Sequence, residues 1–504
     1  MPAPAHRTRL VDSVLLLTER PRPRTVAAWP HAHWLAVGTV CLGAFLGQLT
    51  ASVTALVFPA LGQHFGAGFA SVEWVALAYL LVLVALLAPV GRLSDTVGRK
   101  TMYLGGFALF ALASLAAGFA GALWVLVACR AVQAVGGAMM QANSVALVAR
   151  GVPAGAMRTA LGIQAAAQAL GLALGPTVGG LLVAHASWRW AFWVNVPIAV
   201  LGLLAGWFLL PRSRREPAPA RLAEPAGLAA PARPAEAAGH GGGTRRESRF
   251  DLLGLLLLAA ASSSLLLALS TAAGLPLPGW AVVVLLAAAG AFTVALARQE
   301  QRADTPIIAP GLVNTPGVRA GLVVALIGYL LLFCPLVLGP VMLDSAGVSA
   351  GAAGLVITAL PAAFAIAATA GGALLPRHWS DARRGRAGAL VTTAGLLVLA
   401  VLPVSPLLAP VPLAVAGFGL GLLLPANNTL VMRSIPAESS AVGGGMVNMV
   451  RSLGTALGTA LPVLGVHLAG AGAGGRAVLL LLVAAALAAV RLCRTGRPRP
   501  AVRG

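Results

Sequence analysis

The chain is 504 residues long, 59% hydrophobic and only 10% charged, with a mean hydropathy of +0.89. Soluble domains carry charge on about a quarter of their residues, so this composition excludes an ordinary globular protein and indicates a multi-pass membrane protein. A net charge of +21 would suggest a nucleic-acid binder in a soluble chain, but the placement of the charges along this one excludes that reading.

Residues 1–33 hold five arginines and one short apolar run, "SVLLL", which fits a cytoplasmic tail rather than a cleaved signal peptide. Beyond it, windows of about 20 apolar residues, the length a bilayer requires, predict fourteen spans. The first six lie at 34–57, 71–90, 102–120, 122–148, 158–183 and 190–210. Residues 211–249 are rich in Pro, Ala, Gly and Arg and cannot build a core, so they predict a disordered cytoplasmic linker. A pair of spans follows at 250–272 and 279–298. Six more lie at 318–342, 351–375, 387–404, 408–430, 443–468 and 475–493, and 494–504 form a second tail. With the N-terminus inside, only Arg189 and Arg476 of the 35 basic residues fall on the outer side, and Arg130 and Arg451 fall within spans. That bias obeys the positive-inside rule, favours an even number of helices and places both termini in the cytoplasm. Cys41, Cys129, Cys334 and Cys493 lie in or at the ends of spans and imply no exported disulfide framework.

Polar residues in so apolar a chain are the informative ones. After the second span comes "GRLSDTVGRK" (91–100), with four charges and the only lysine, Lys100. Gly91 and Gly98 predict a tight turn there, and Asp95 stands four residues from Arg99, a spacing that one helical turn could join. A solvated basic loop is the plainer alternative. Arg130 lies well inside the fourth span, where a charge marks a functional site by default. Gln133 shares its face, Gln141 returns to a similar angle, and Gln164 and Gln168 form a second stripe in the fifth span. Together they suggest a wet central cavity; interhelical hydrogen bonding without a ligand explains the glutamines equally well. Gly171, Gly175 and Gly179 recur every four residues around Pro176, giving a flat, kinked helix face suited either to sliding or to static close packing. Arg451 sits nearer a span end and reads as a snorkelling anchor. After the tenth span, "RHWSDARRGR" (377–386) echoes 91–100 with Ser-Asp followed by arginines. If the two are equivalent, spans 9–14 repeat spans 1–6, and spans 7 and 8 are an inserted pair.

Three of these stretches resemble the major facilitator superfamily. Gly91, Leu93, Asp95, Gly98, Arg99 and Lys100 match its signature loop between helices 2 and 3. Arg130, Gln133 and Gly136 are similar to its helix-4 motif, with Ala134 where glycine is usual. Gly171, Gly175, Pro176, Gly179 and Gly180 match the helix-5 motif of its exporters in full. "WVALAYLL" (74–81), "WRWAFWVNVP" (188–197) and "RSLGTALG" (451–458) look like the fourteen-helix drug:proton antiporter branch. The resemblance covers 34–493 and implies an all-α integral membrane fold of two six-helix bundles plus two additional central helices. It also implies that the 91–100 loop braces the bundles and breaks as access changes.

One departure is plain. Antiporters of this branch carry an aspartate in helix 1, and Thr50 stands in its place. No acid lies deep in any predicted span: Glu73 and Asp344 fall near the outer surface, Asp95 and Asp251 near the inner one. His64, His185 and His467 read as interfacial side chains. No metal-ligand spacing, nucleotide loop or nucleophile motif is present, so no cofactor and no enzymatic activity are expected. The expectation is a plasma-membrane secondary exporter of small amphipathic molecules, working by alternating access as a monomer, coupled to protons, with the lipid bilayer and no nucleic acid as partner. The rival readings are an uptake carrier for a polar solute and a non-transporting receptor or scaffold.

Overall fold

The structure is a computed structural model that describes residues 31–153, 156–211, 251–303, 315–376, 378–435 and 440–495, with a few positions between 22 and 29. The predicted tails and the 211–249 linker lie almost wholly outside the described residues. Thirteen apolar helical stretches are long enough to cross a membrane; the last, Met446–Cys493, runs for 48 residues, about two spans, and is broken by a π-helical turn at Gly470–Gly474. The described residues therefore contain fourteen long helices. The first six are α1 (Ala32–Leu56), α2 (Trp74–Val97), α3 (Arg99–Gly118), α4 (Leu123–Gly151), α5 (Met157–His185) and α6 (Asn195–Leu209). Next come α7 (Leu252–Ala272) and α8 (Trp280–Arg302). The last six are α9 (Pro316–Ser345), α10 (Ala350–Leu374), α11 (Asp381–Val401), α12 (Pro410–Arg433), α13 (Ser440–Ala469) and α14 (Gly475–Thr495). Prolines such as Pro89, Pro176 and Pro425 sit inside these helices, as membrane helices tolerate when neighbours satisfy the freed backbone groups.

Packing makes the internal repeat explicit. Within the first six helices, α1 packs on α5 and α6, α2 on α4, and α3 on α4 and α6. Eight helices further on, α9 packs on α13 and α14, α10 on α12, and α11 on α12 and α14. The close approaches recur as well. A Cβ on Gly136 would lie 2.7 Å from the Gly106 carbonyl oxygen, where α4 crosses α3; a Cβ on Gly388 would lie 2.5 Å from that of Gly419, where α11 crosses α12. In a bilayer, where apolar side chains gain little by leaving lipid, such backbone-to-backbone packing is what holds helices together. The repeat expected from two degenerate loops is thus carried by glycines at the crossings.

The loops themselves differ. Ser94 lies inside α2, donating to the Val90 carbonyl at 2.6 Å and accepting from Asn143 of α4 at 2.8 Å. Ser380 instead caps the start of α11, accepting from Arg383 N, and Asp381 pairs with Arg433 at 2.8 Å across α11 and α12. The Ser-Asp echo is a likeness of composition, since one copy ends a helix and the other begins one.

The two six-helix units meet along α5 and α10, along α2 and α13, and along α1 and α9. The inserted helix α7 lies against α2 and α13, and α8 packs on α7 at the periphery, with little of its surface buried. We call the end of the molecule with the α2–α3 turn the knot end and the opposite one the far end.

Candidate functional site

The polar knot is mostly helix. α2 continues through Gly91 to Val97, and only Gly98, at φ 107°, breaks it before Arg99 opens α3. A positive φ there suits glycine alone, so one residue makes the whole reversal. Gly91 is an ordinary helical position with open space around it, not part of a tight turn. Asp95 and Arg99 lie on opposite sides of the break, so the expected shared helical turn does not form; the Asp95 side chain lies outside the described residues. Lys100 is fully buried, and its Nζ donates to the carbonyls of Trp207 at 3.0 Å and Leu210 at 2.9 Å. A cation on the last carbonyls of α6 satisfies groups that the helix leaves open and complements its dipole. Two charge-assisted bonds are worth about 1.5–3 kcal/mol each. Lys100→Met should therefore lower the thermal unfolding midpoint of the purified protein by several degrees, measured by tryptophan fluorescence; an unchanged midpoint would remove this cap from the account.

Arg130 is buried and sits within the first six-helix unit. Its Nε donates to the Val75 carbonyl at 2.8 Å and its Nη1 to Thr50 Oγ1 at 3.4 Å and to Gln133 Oε1. The guanidinium stacks 4.4 Å from the Tyr79 ring centroid. Gln133 passes the network on to Ser114 at 2.6 Å, and Asn195 donates to Thr50 Oγ1 at 3.2 Å. Five helices, α1, α2, α3, α4 and α6, are thus joined by one polar cluster. Gln133 and Thr50 do not line the central cavity, where the sequence reading put them; Arg130 lines a smaller adjoining cavity between the units, which shares Ala51, Tyr79, Leu80, Phe333 and Thr455 with the central one.

That cavity lies between the two units and is lined by α1, α2, α3, α4, α5, α9 and α13. All three tyrosines of the chain, Tyr79, Tyr103 and Tyr329, are on its wall. So are Gln48, Gln141, Gln168 and Asn448, while Gln164 is buried away from it. Among the described residues, Arg451 is the one charged side chain on the wall: its guanidinium lies 4.6 Å from the Tyr329 ring and donates to Asn448 Oδ1 at 3.2 Å. Instead of snorkelling to a membrane surface, Arg451 faces the centre. Sequence reasoning missed this pair because Tyr329 lies 122 positions upstream, in another helix; the signal available was that a charge inside a span must be either shielded or used.

The helix-5 glycines divide into two sets. Gly171 and Gly179 approach the α1 backbone: a Cβ on Gly171 would stand 3.2 Å from Leu49 N, and one on Gly179 would stand 3.3 Å from the Val53 oxygen. Gly175 meets Ser52 and Val53 between them. Gly454 and Gly458 make the matching approach of α13 to α9, with Leu330 O 3.0 Å from the Cβ that Gly458 lacks. Close packing inside each unit is therefore what this face does in both halves. Gly180 looks the other way. A Cβ there would lie 2.5 Å from the Ala350 oxygen and 3.0 Å from Gly354 Cα of α10, and Thr177 and Thr358 share a hydrogen bond of 2.6 Å beside it. At this far-end contact the two units touch backbone to backbone.

A ring of helices in two repeated units around a central polar cavity defines a membrane transporter rather than an enzyme. The family model for the Major Facilitator Superfamily matches residues 40–459, and the chain belongs to that family. It is 25% identical over 437 residues to the riboflavin transporter RibZ of Clostridioides difficile, covering 85% of this chain and 87% of that one. It is 28% identical over 442 residues to the tetracenomycin C resistance and export protein of Streptomyces glaucescens, covering 86% and 76%. To the multidrug resistance protein Stp of Mycobacterium tuberculosis it is 29% identical over 434 residues, covering 83% and 73%. Among solved structures, a bacterial homologue of the human lysosomal transporter Spinster, inward-facing and unoccupied, superposes with a TM-score of 0.60 at 15% identity over 94% of this chain and 100% of that one. That likeness carries the fold.

Proposed function

We propose that this transporter exports small amphipathic molecules that are neutral or anionic, by alternating access of the central cavity, with protons moving in exchange. Both termini lie on the cytoplasmic side of the plasma membrane in this reading, and one chain is the working unit. The observation that carries the substrate class is the cavity wall. Among the described residues it offers three tyrosines, four carboxamides and Arg451, with no carboxylate. Amides and phenols fix the orientation of a polar ring system, and an unbalanced guanidinium in a low-dielectric site attracts an anion and repels a cation. Relatives named for tetracenomycin C export and multidrug resistance support the outward direction.

The test is counterflow in proteoliposomes with an imposed pH gradient, using matched anionic, neutral and cationic dyes. Wild type should favour the anion. Arg451→Gln should reduce anion counterflow about tenfold, the effect of losing about 1.4 kcal/mol of binding, and leave the neutral dye nearly unchanged. Equal loss for all three dyes would show that Arg451 holds the fold and does not read charge.

A further inference from the structure

One carboxylate among the described residues has no solvent exposure at all, and it is not in the cavity. Glu73 immediately precedes α2 at the far end, and sequence position alone had placed it near the outer membrane surface. Ser270 Oγ of the inserted helix α7 donates to its Oε1. Its Oε2 is buried and has no protein partner, and the same is true of Nε1 of the neighbouring Trp74. On either side, Ala70, Ala273, Leu275 and Val463 close an apolar plug joining the short helix Phe69–Val72, α7 and α13. Glu73 thus sits in the seam where the first unit, the inserted pair and the second unit meet.

The charges around it are few. α7 and the Phe69–Val72 helix carry no titratable side chain. On α2, Tyr79 is engaged with Arg130, and Arg92 and Asp95 lie at the other end. On α13, Arg451 faces the cavity, and His467 is exposed with its ring against Gly274, where a Cβ would stand 3.0 Å from Nδ1. Among the described residues, no cation is bonded to the carboxyl group. An ionised carboxylate offers about four acceptor positions and is costly to bury without a cation or several donors; the neutral acid needs far less. One serine hydroxyl suits the acid and not the anion.

We propose that Glu73 is a proton-binding site that latches the far-end seam. With the proton on, the neutral acid is held by Ser270 and the seam closes over it. When the seam opens, the O–H bond breaks, the proton passes to entering water, and the carboxylate remains hydrated; closure reverses the step with one proton taken up. This supplies a titrating group that position 50 lacks, and it rests on the exporter reading only for what the proton is used for. Ser270 belongs to the inserted helix, so the pair of extra helices carries half of the latch.

The test reads conformation and needs no substrate, so it is separable from the transport assay. Spin labels at Gln63→Cys and Ala469→Cys, exposed positions on the two sides of the seam, are placed in full-length protein whose four native cysteines are replaced. Their separation is measured by double electron–electron resonance from about pH 5 to about pH 9, the range over which buried carboxylates titrate. The wild-type population should move from the short to the long distance as pH rises. Glu73→Gln, which keeps the shape and cannot ionise, should stay short throughout. Ser270→Ala should move the opening to lower pH by about half a unit or more, the effect of one lost hydrogen bond; this variant decides the matter if Glu73→Gln does not accumulate. A pH-independent wild type, a Glu73→Gln variant that still opens, or an unmoved Ser270→Ala midpoint would each overturn the proposal. Loss of the pH response in His467→Gln with its retention in Glu73→Gln would assign the titration to His467 instead.

Discussion

Gly180→Val is expected to abolish net transport while the protein still reaches the membrane at normal levels. The new side chain would have to occupy the space held by the Ala350 oxygen and Gly354 Cα of α10, both backbone atoms that cannot rotate away. Overpacking of this kind costs about 1–3 kcal/mol, which shifts the balance between closed and open seam by roughly 5- to 150-fold. The cost falls on the closed arrangement, because the three atoms nearest to that Cβ all belong to α10 of the other unit. Gly175→Leu differs: its side chain would enter the contact of α5 with Ser52 and Val53 inside the first unit, so it should lower the amount of folded protein too. Membrane levels by immunoblot, with counterflow on the same preparations, separate the two. Normal counterflow by Gly180→Val would show that the far-end contact has room that the backbone distances deny.

Arg130→Ala should have the largest effect on stability. It leaves the Val75 carbonyl, Gln133 Oε1 and Thr50 Oγ1 without their common donor and removes the cation that packs on Tyr79. Leaving a buried acceptor without its donor costs about 1–3 kcal/mol each, and the three together are a large part of what holds a domain folded. Little folded protein should be recovered. Arg130→Lys should rescue only part of it, because one ammonium cannot reproduce a planar fork reaching three acceptors. Thr50→Asp tests the same cluster from the other side. Thr50 accepts from both Arg130 and Asn195, so an aspartate there gains a paired cation at once. The variant should fold and should not gain efflux of a permanent cation such as ethidium, since Thr50 is buried and is not on the cavity wall. A clear gain in ethidium efflux would place position 50 in the substrate path after all.

The helices were legible because apolar length and Gly or Pro punctuation are local properties: even 408–430 and 443–468 appear as Pro410–Arg433 and Ser440–Ala469. Arg130 and Lys100 were legible as anomalies, one a charge inside a span and the other the only lysine. Their jobs were not legible, because their partners come from other helices, Val75 and Thr50 for Arg130 and the end of α6 for Lys100. Arg451 and Glu73 were misplaced for the opposite reason. Each lies towards the end of a span, where a one-dimensional reading assumes water or headgroups. In the folded molecule Tyr329 draws Arg451 to the centre, and the inserted helix α7 covers Glu73. Covering by a distant segment leaves no trace in the sequence around the covered residue.

Helix α5 has a mechanical meaning beyond its contacts. Gly180 rests against α10, and Gln168 of the cavity wall lies twelve residues back along the same helix, about 18 Å at the usual rise. Treated as a rigid lever with its fulcrum at the glycine contact, α5 has to tilt by only about 10° to carry Gln168 about 3 Å sideways. That is a hydrogen-bond length, enough to make or release a contact with cargo. Placing the fulcrum on two glycines lets the lever turn close against its support, and Pro176, between the fulcrum and the load, sets where the lever bends instead of turning.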